Sequence, residues 1–158
     1  MKTSLINATI LLLFFMISCS ISKTTPEKAS EITKKIESKN FTINVNYANP
    51  LRMKPVFLTS GYSLRIKNDS AFAYLPYYGV AQVAPIDLSE GGIKFETLMS
   101  KYQIHSNKKS DGWYIQFNVK QNESEYEVFI NVFNNGNAIV SINSYERDVI
   151  SFNGEVNQ

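Results

Sequence analysis

The chain has 158 residues, with 16 Lys and Arg against 14 Asp and Glu, a single His and a single Cys, a length that accommodates one domain. A formal charge of +2, spread along the chain, is too mild for a nucleic-acid binder, which concentrates its basic residues on one face. One Cys and one His leave no Cys/His metal cluster, disulfide framework or CxxC redox pair, and no cofactor is expected.

Residues 1–18 read as a secretory leader. Lys2 precedes the uncharged run ILLLFFMI at residues 10–17. As a helix this run spans about 12 Å, well short of the roughly 30 Å hydrocarbon core of a bilayer. Met16, Ile17, Ser18 and Cys19 resemble the bacterial lipobox, with Met16 standing where leucine is preferred. The resemblance implies cleavage before Cys19, a diacylglyceryl group on its sulfur and acylation of the new amine. Each buried methylene contributes about 0.8 kcal/mol, so two or three acyl chains hold a domain on a membrane. Ordinary secretion with an incidental cysteine and an uncleaved anchor are the alternatives. With its one thiol alkylated, the mature domain has no disulfide in an oxidising compartment. Its core must suffice, and a chain of this length buries about two thirds of its surface.

Residues 19–25 form the lipidated tether, and residues 26–39 a helix. Thr25 is placed to cap it, and Pro26 suits its first position. Ala29, Ile32 and Ile36 share one stripe, and Glu31 precedes Lys35 at the favourable spacing of four. So narrow a stripe must dock on something apolar.

From Phe41 the period changes to two. Phe41, Ile43, Val45 and Tyr47 alternate with Thr42, Asn44 and Asn46, a strand that ends at Asn49 and Pro50. Residues 56–59 and 62–67 continue the pattern around Gly61, where a bulge is expected. Asn68 and Asp69 turn the chain into a strand over residues 70–75. Trp113, Ile115, Phe117 and Val119 share a face, as do Tyr126, Val128, Ile130 and Val132 beyond the polar turn at residues 121–124. The turn at residues 134–137 leads to a strand over 138–143, and a last strand covers 149–152. This makes eight or nine strands in one domain over residues 40–156, an antiparallel meander closed into a β-barrel, with a β-sandwich as the alternative. Closure removes the two edges that invite aggregation. Phe129 and Phe133 point outward from the strong hairpin, and the Ala29/Ile32/Ile36 stripe is the candidate cover for them.

With these strands placed, four motifs stand in order: NYANPLR at residues 46–52, GYSLRIKNDS at 61–70, YLPYYG at 74–79 and ISFNGEV at 150–156. Together they resemble a family of Bacteroidetes lipoproteins known as domain of unknown function 4251. The match runs from about residue 41 to residue 156, and the order of motifs is more specific than any one of them. The resemblance implies a lipocalin-like barrel in the cell envelope with no established activity, and no catalytic residue carries over. Surface-exported lipoproteins of such bacteria often carry acidic residues just after the cysteine. Ser20, Ile21, Ser22 and Lys23 include none, which favours a domain anchored to the outer membrane and facing the periplasm.

Several residues are candidates for chemistry. Tyr74, Tyr77 and Tyr78 form the densest aromatic cluster, suited to sugars, flat rings or acyl chains at a barrel mouth. The alternative is a proline-bent strand whose tyrosines pack on the scaffold. His105 is the one side chain titrating near neutrality, and it reads as a surface or rim residue. Glu123, Glu125 and Glu127 recur at period two as a solvated strand face beside Lys120, since three carboxylates in a row do not make a calcium site. Asp87 and Glu90 are further carboxylates for a glycosidase-type pair. Gly91 and Gly92 lack phosphate-loop spacing. Asp69, Ser70 and Ala71 resemble the short motif for O-glycosylation in Bacteroidetes envelopes, with Ser70 as acceptor.

The expectation is therefore a noncatalytic lipoprotein with the membrane and an envelope protein as its partners and a barrel filled by Trp113, Phe117, Tyr126 and their neighbours. The alternative is a carrier of a small apolar or aromatic ligand, which needs an internal cavity of at least about 300 Å³. An envelope-glycan hydrolase stands third.

Overall fold

The structure, a computed structural model, describes residues 26–59, 61–80, 91–107 and 111–157. The leader, Cys19, Thr25, Asp87 and Glu90 lie outside the described residues. A helix, α1 (Pro26–Glu37), precedes nine strands: β1 (Asn40–Pro50), β2 (Val56–Phe57), β3 (Ser63–Lys67), β4 (Ser70–Leu75), β5 (Ile93–Asn107), β6 (Gly112–Gln121), β7 (Ser124–Phe133), β8 (Asn137–Ser144) and β9 (Arg147–Val156). Eight of them pair antiparallel in the order β1-β3-β4-β5-β6-β7-β8-β9, and β9 returns to β1. The wall is a closed barrel. The two-residue β2 adds to β1 beyond the end of β3, through Tyr47 opposite Phe57 and Ala48 opposite Val56.

Alternation fills the interior. Ile43, Leu64, Ile115, Phe117, Ile130 and Phe152 are each 0% exposed, and side chains of that size fill a barrel of eight strands. The β6–β7 hairpin pairs in one unbroken register from Gly112 opposite Phe133 to Gln121 opposite Ser124. Trp113 and Tyr126 belong to this inner face, the first half-buried and the second buried.

The seam between β1 and β9 departs from simple alternation. Its register slips between Val45 and Tyr47, a bulge that places one extra residue on β1. Inward positions therefore run Phe41, Ile43, Val45 and then Ala48. Tyr47, expected to face inward with Val45, is turned outward and is 42% exposed. Gly154 sits across from this slip, and a Cβ there would collide with the Asn44 carbonyl oxygen and lie 2.9 Å from the Val45 Cα.

Other boundaries also differ from the sequence pattern. Residues 56–59 yield only the short β2, because the chain leaves the sheet after Phe57. Gly61 is no bulge but a turn residue with φ of 109°. The last strand runs Arg147–Val156 rather than 149–152, since Gly154 and Val156 continue the buried face. β5 has no counterpart among the expected strands. Only Ile93 and Phe95 are buried along its length, and a slip between Ser100 and Gln103, with Lys101 at φ 53°, interrupts its alternation.

The helix ends at Glu37, two residues before the expected limit. Ser38 N–H donates to the Lys34 carbonyl at 3.0 Å, Lys39 N–H to that of Ile36 at 3.1 Å, and Lys39 takes a left-handed φ of 49°. The expected Glu31–Lys35 ion pair forms at 2.9 Å. Ile32 and Ile36 are 2% and 0% exposed within the same cluster as the barrel interior. The helix contacts lie at the barrel end that carries the β3–β4 and β7–β8 turns. Lys35 Nζ donates to the Asn157 carbonyl at 2.9 Å, Lys39 pairs with Asp69 at 3.1 Å, and a Cβ on Gly136 would lie 3.5 Å from Ile32 Cδ1. The apolar stripe thus plugs this end and does not cover Phe129 and Phe133, because an open barrel end offers more apolar surface than the outer wall. Phe129 stands half-buried between Gln116 and Ser141.

Tyr102 lies just inside the plugged end. Its ring stacks on Phe117 with centroids 6.3 Å apart, and Lys39 Nζ lies 4.5 Å from its centroid. Its buried hydroxyl has no hydrogen-bond partner, and burial raises its pKa above the ordinary tyrosine value. An unpaired buried hydroxyl costs roughly 1–3 kcal/mol, so Tyr102→Phe should stabilise the protein by about 1 kcal/mol and raise Tm by a few degrees. The raised pKa has a definite sign. Its stabilising contribution is complete below the ordinary tyrosine pKa and is lost as pH rises through the higher folded value. Denaturant midpoints measured upward from about pH 10 should fall, and fall less in Tyr102→Phe.

Candidate functional sites

The end opposite α1 carries the tyrosine cluster. Tyr74, at the end of β4, is 52% exposed and stacks on Tyr62 with ring centroids 5.5 Å apart and planes at 15°. Lys94 Nζ lies 5.4 Å from the Tyr74 centroid. Together with Tyr77, Tyr78 and Gly92 these residues line a surface concavity of about 280 Å³.

Tyr77 is committed to structure. Its hydroxyl lies 3.0 Å from the Val80 carbonyl oxygen and 3.2 Å from that of Asp148, either of which accepts its proton. The Arg147 guanidinium lies 5.1 Å from its ring centroid and donates to the Gly92 carbonyl at 3.0 Å. Burial, with the Asp148 carboxylate nearby, raises the Tyr77 pKa. Asp148 in turn pairs with Arg52 at 3.0 Å. These links tie the segment after β4 to the start of β9. Tyr74 is the exposed aromatic of the three, and Tyr77 and Tyr78 pack against the core.

Glu123, Glu125 and Glu127 line a second concavity with Glu146, Lys101 and Asn118, of about 590 Å³. Three of the four carboxylates accept hydrogen bonds: Glu125 from Asn118 Nδ2 at 3.4 Å, Glu127 from Asn143 Nδ2 at 3.2 Å, and Glu146 from Ser124 Oγ at 2.8 Å. Lys120 stands opposite Glu125 in the register. Among the described residues no three His, Cys, Asp or Glu side chains come close enough to hold a metal ion.

The remaining candidates lie apart. His105 is exposed on β5 opposite Tyr114. Ser70 is half-buried at the first position of β4, paired with Lys67 and Leu98, while the turn itself is Asn68 and Asp69. Among the described residues these two groups stand apart, His105 opposite Tyr114 and Ser70 opposite Lys67 and Leu98.

A further surface emerges only from the register. On the outside of the barrel, Phe57, Tyr47, Asn153, Ile139, Asn131 and Tyr114 follow one another across β2, β1, β9, β8, β7 and β6. Tyr47 and Phe57 meet edge to face, with centroids 5.3 Å apart and planes at 73°, and Phe57 is 68% exposed. Asn49 Nδ2 donates to Asn153 Oδ1 at 3.1 Å. Two concavities of about 560 and 500 Å³ adjoin here and share Asn46, Asn135 and Glu155. The strand pattern reveals that Asn44 and Asn46 face outward, but not that β9 brings Asn153 opposite Tyr47 and sets Glu155 between Asn44 and Asn137.

Comparison with known proteins gives a consistent picture. A family model described as "Domain of unknown function (DUF4251)" matches residues 23–156. No curated protein matches the chain. Among solved structures, the crystal structure of a DUF4251 family protein from Bacteroides eggerthii DSM 20697 is similar over 82% of this chain and 87% of that one, at 15% identity and a TM-score of 0.65. Likeness at that identity concerns the fold alone.

Proposed function

The chain belongs to the DUF4251 family, and we propose that it is a noncatalytic cell-envelope lipoprotein, tethered to the outer membrane through acyl chains on Cys19, that works through the outer wall of its barrel. The observation that carries this reading is the packed interior, where Phe117 and Phe152 are 0% exposed and occupy the space a carried ligand would need. What remains for recognition is the outside. The lipobox-like residues 16–19 support the tether, and the lack of acidic residues among Ser20, Ile21, Ser22 and Lys23 supports an orientation toward the periplasm.

Cells fed radiolabelled palmitate should incorporate label into the protein, and Cys19→Ser should abolish incorporation and move the protein from the membrane to the soluble fraction. Absence of label from the wild-type chain overturns the tether. Native mass spectrometry of protein purified from its own host addresses the packed interior. A stoichiometric small apolar molecule retained by the barrel would overturn the outer-wall reading in favour of a carrier.

A further inference from the structure

The outer face of β1, β9 and β8 combines exposed aromatic rings with primary amides in a way that points to one class of ligand. The bulge at Asn46 turns Tyr47 outward to meet Phe57. Asn153 stands opposite Tyr47, and Asn44 and Asn137 stand on either side of Glu155; with Asn46 all four are exposed, and each amide both donates and accepts. Asn49 orients the Asn153 amide from the side. Charge is sparse, since only Glu155 and Lys28 line the two adjoining concavities. An anionic polymer would find no cluster of cations here, and an acyl chain would find too many amides.

A neutral sugar has the complementary chemistry. The C–H face of a pyranose is apolar and lies on an aromatic ring, while its equatorial hydroxyls, or an acetamido group, exchange hydrogen bonds with amides. We propose that this face binds a neutral oligosaccharide of the envelope, with Tyr47 as the stacking ring, Phe57 buttressing it edge to face, and Asn46, Asn137 and Asn153 as the hydroxyl-reading groups. The two concavities adjoin through Asn46, Asn135 and Glu155, which gives a groove for more than one sugar ring rather than a pocket for one. The proposal rests on the outer wall being the working surface, but it does not depend on the acyl tether.

The test uses the full chain in detergent micelles and saturation-transfer difference NMR. The probes are hexamers of β-linked N-acetylglucosamine, β-linked glucose and α-linked glucose. At least one hexamer should receive saturation from the protein. Tyr47→Ala and Asn153→Ala should each weaken that binding at least about tenfold, equivalent to about 1.4 kcal/mol. Tyr74→Ala, at the rim beside β4, should leave it unchanged. Both positions on the face are solvent-exposed, and near-UV circular dichroism checks that the variants keep the native fold. No transfer to any hexamer overturns the proposal, as does binding retained by both face variants or lost in Tyr74→Ala. Palmitate incorporation is unaffected by any of these outcomes, so failure of the glycan site is distinguishable from failure of the tether.

Discussion

Ile36→Asp should lower the stability of the whole protein by roughly 4 kcal/mol or more, with Tm falling by about 10 °C or more. Ile36 is 0% exposed between α1 and the barrel interior. Truncation of a buried isoleucine to alanine alone costs about 2–5 kcal/mol, and aspartate adds the cost of taking a carboxylate out of water. Ile32→Asp should behave similarly, because Ile32 packs by the β7–β8 turn at Gly136. Thermal melts followed by near-UV circular dichroism provide the measurement. If both variants melt at the wild-type temperature, the helix is an ornament on a self-sufficient barrel and not its plug.

Gly154→Val should be severely damaging to the wall, at about 3 kcal/mol or more. The added Cβ meets the Asn44 carbonyl and the Val45 Cα, so main chain and not a flexible side chain would have to yield. The collision falls on the pairing that closes the sheet, with Val45 opposite Gly154. Parting β1 from β9 uncovers two strand edges able to pair with other molecules. The variant should therefore show a lowered denaturant midpoint together with aggregates on size exclusion. Gly61→Ala provides the contrast. Its φ of 109° disfavours a side chain, but nothing lies within 4 Å, and the cost should be about 1 kcal/mol without aggregation.

These two positions differ in how far the sequence foretold them. The Ala29/Ile32/Ile36 stripe announces that α1 docks, since three apolar residues at helical spacing serve little else. Its destination was hidden, because periodicity reports a face and not a partner. The hairpin of β6 and β7 was plain for the opposite reason: ten consecutive pairs in one register keep each side chain on the face that alternation assigns. β5 escaped notice because Leu98 stands 70% exposed on its outward face and the slip between Ser100 and Gln103 shifts the alternation by one residue. Tyr47 was misplaced by one residue of bulge, which no count along the strand reveals.

The candidate sites follow the same division. Tyr74, Tyr77 and Tyr78 were found as a cluster because they are neighbours in the chain. Their separation into one exposed ring and two packed ones depends on Arg147 and Asp148, which lie about seventy residues further along the chain. The amide and aromatic face was invisible for the same reason: Asn44, Asn137 and Asn153 come together only when the first strand meets the last.

That meeting also fixes an order of events during folding. Each wall strand from β3 to β9 can pair with the one made just before it, whereas β1 needs as its second neighbour a segment ending at Val156. A folding chain therefore carries an unmatched ribbon at each side until the segment ending at Val156 has paired. Both ribbons stay open to pairing with other molecules until the last ten residues of the wall take their place.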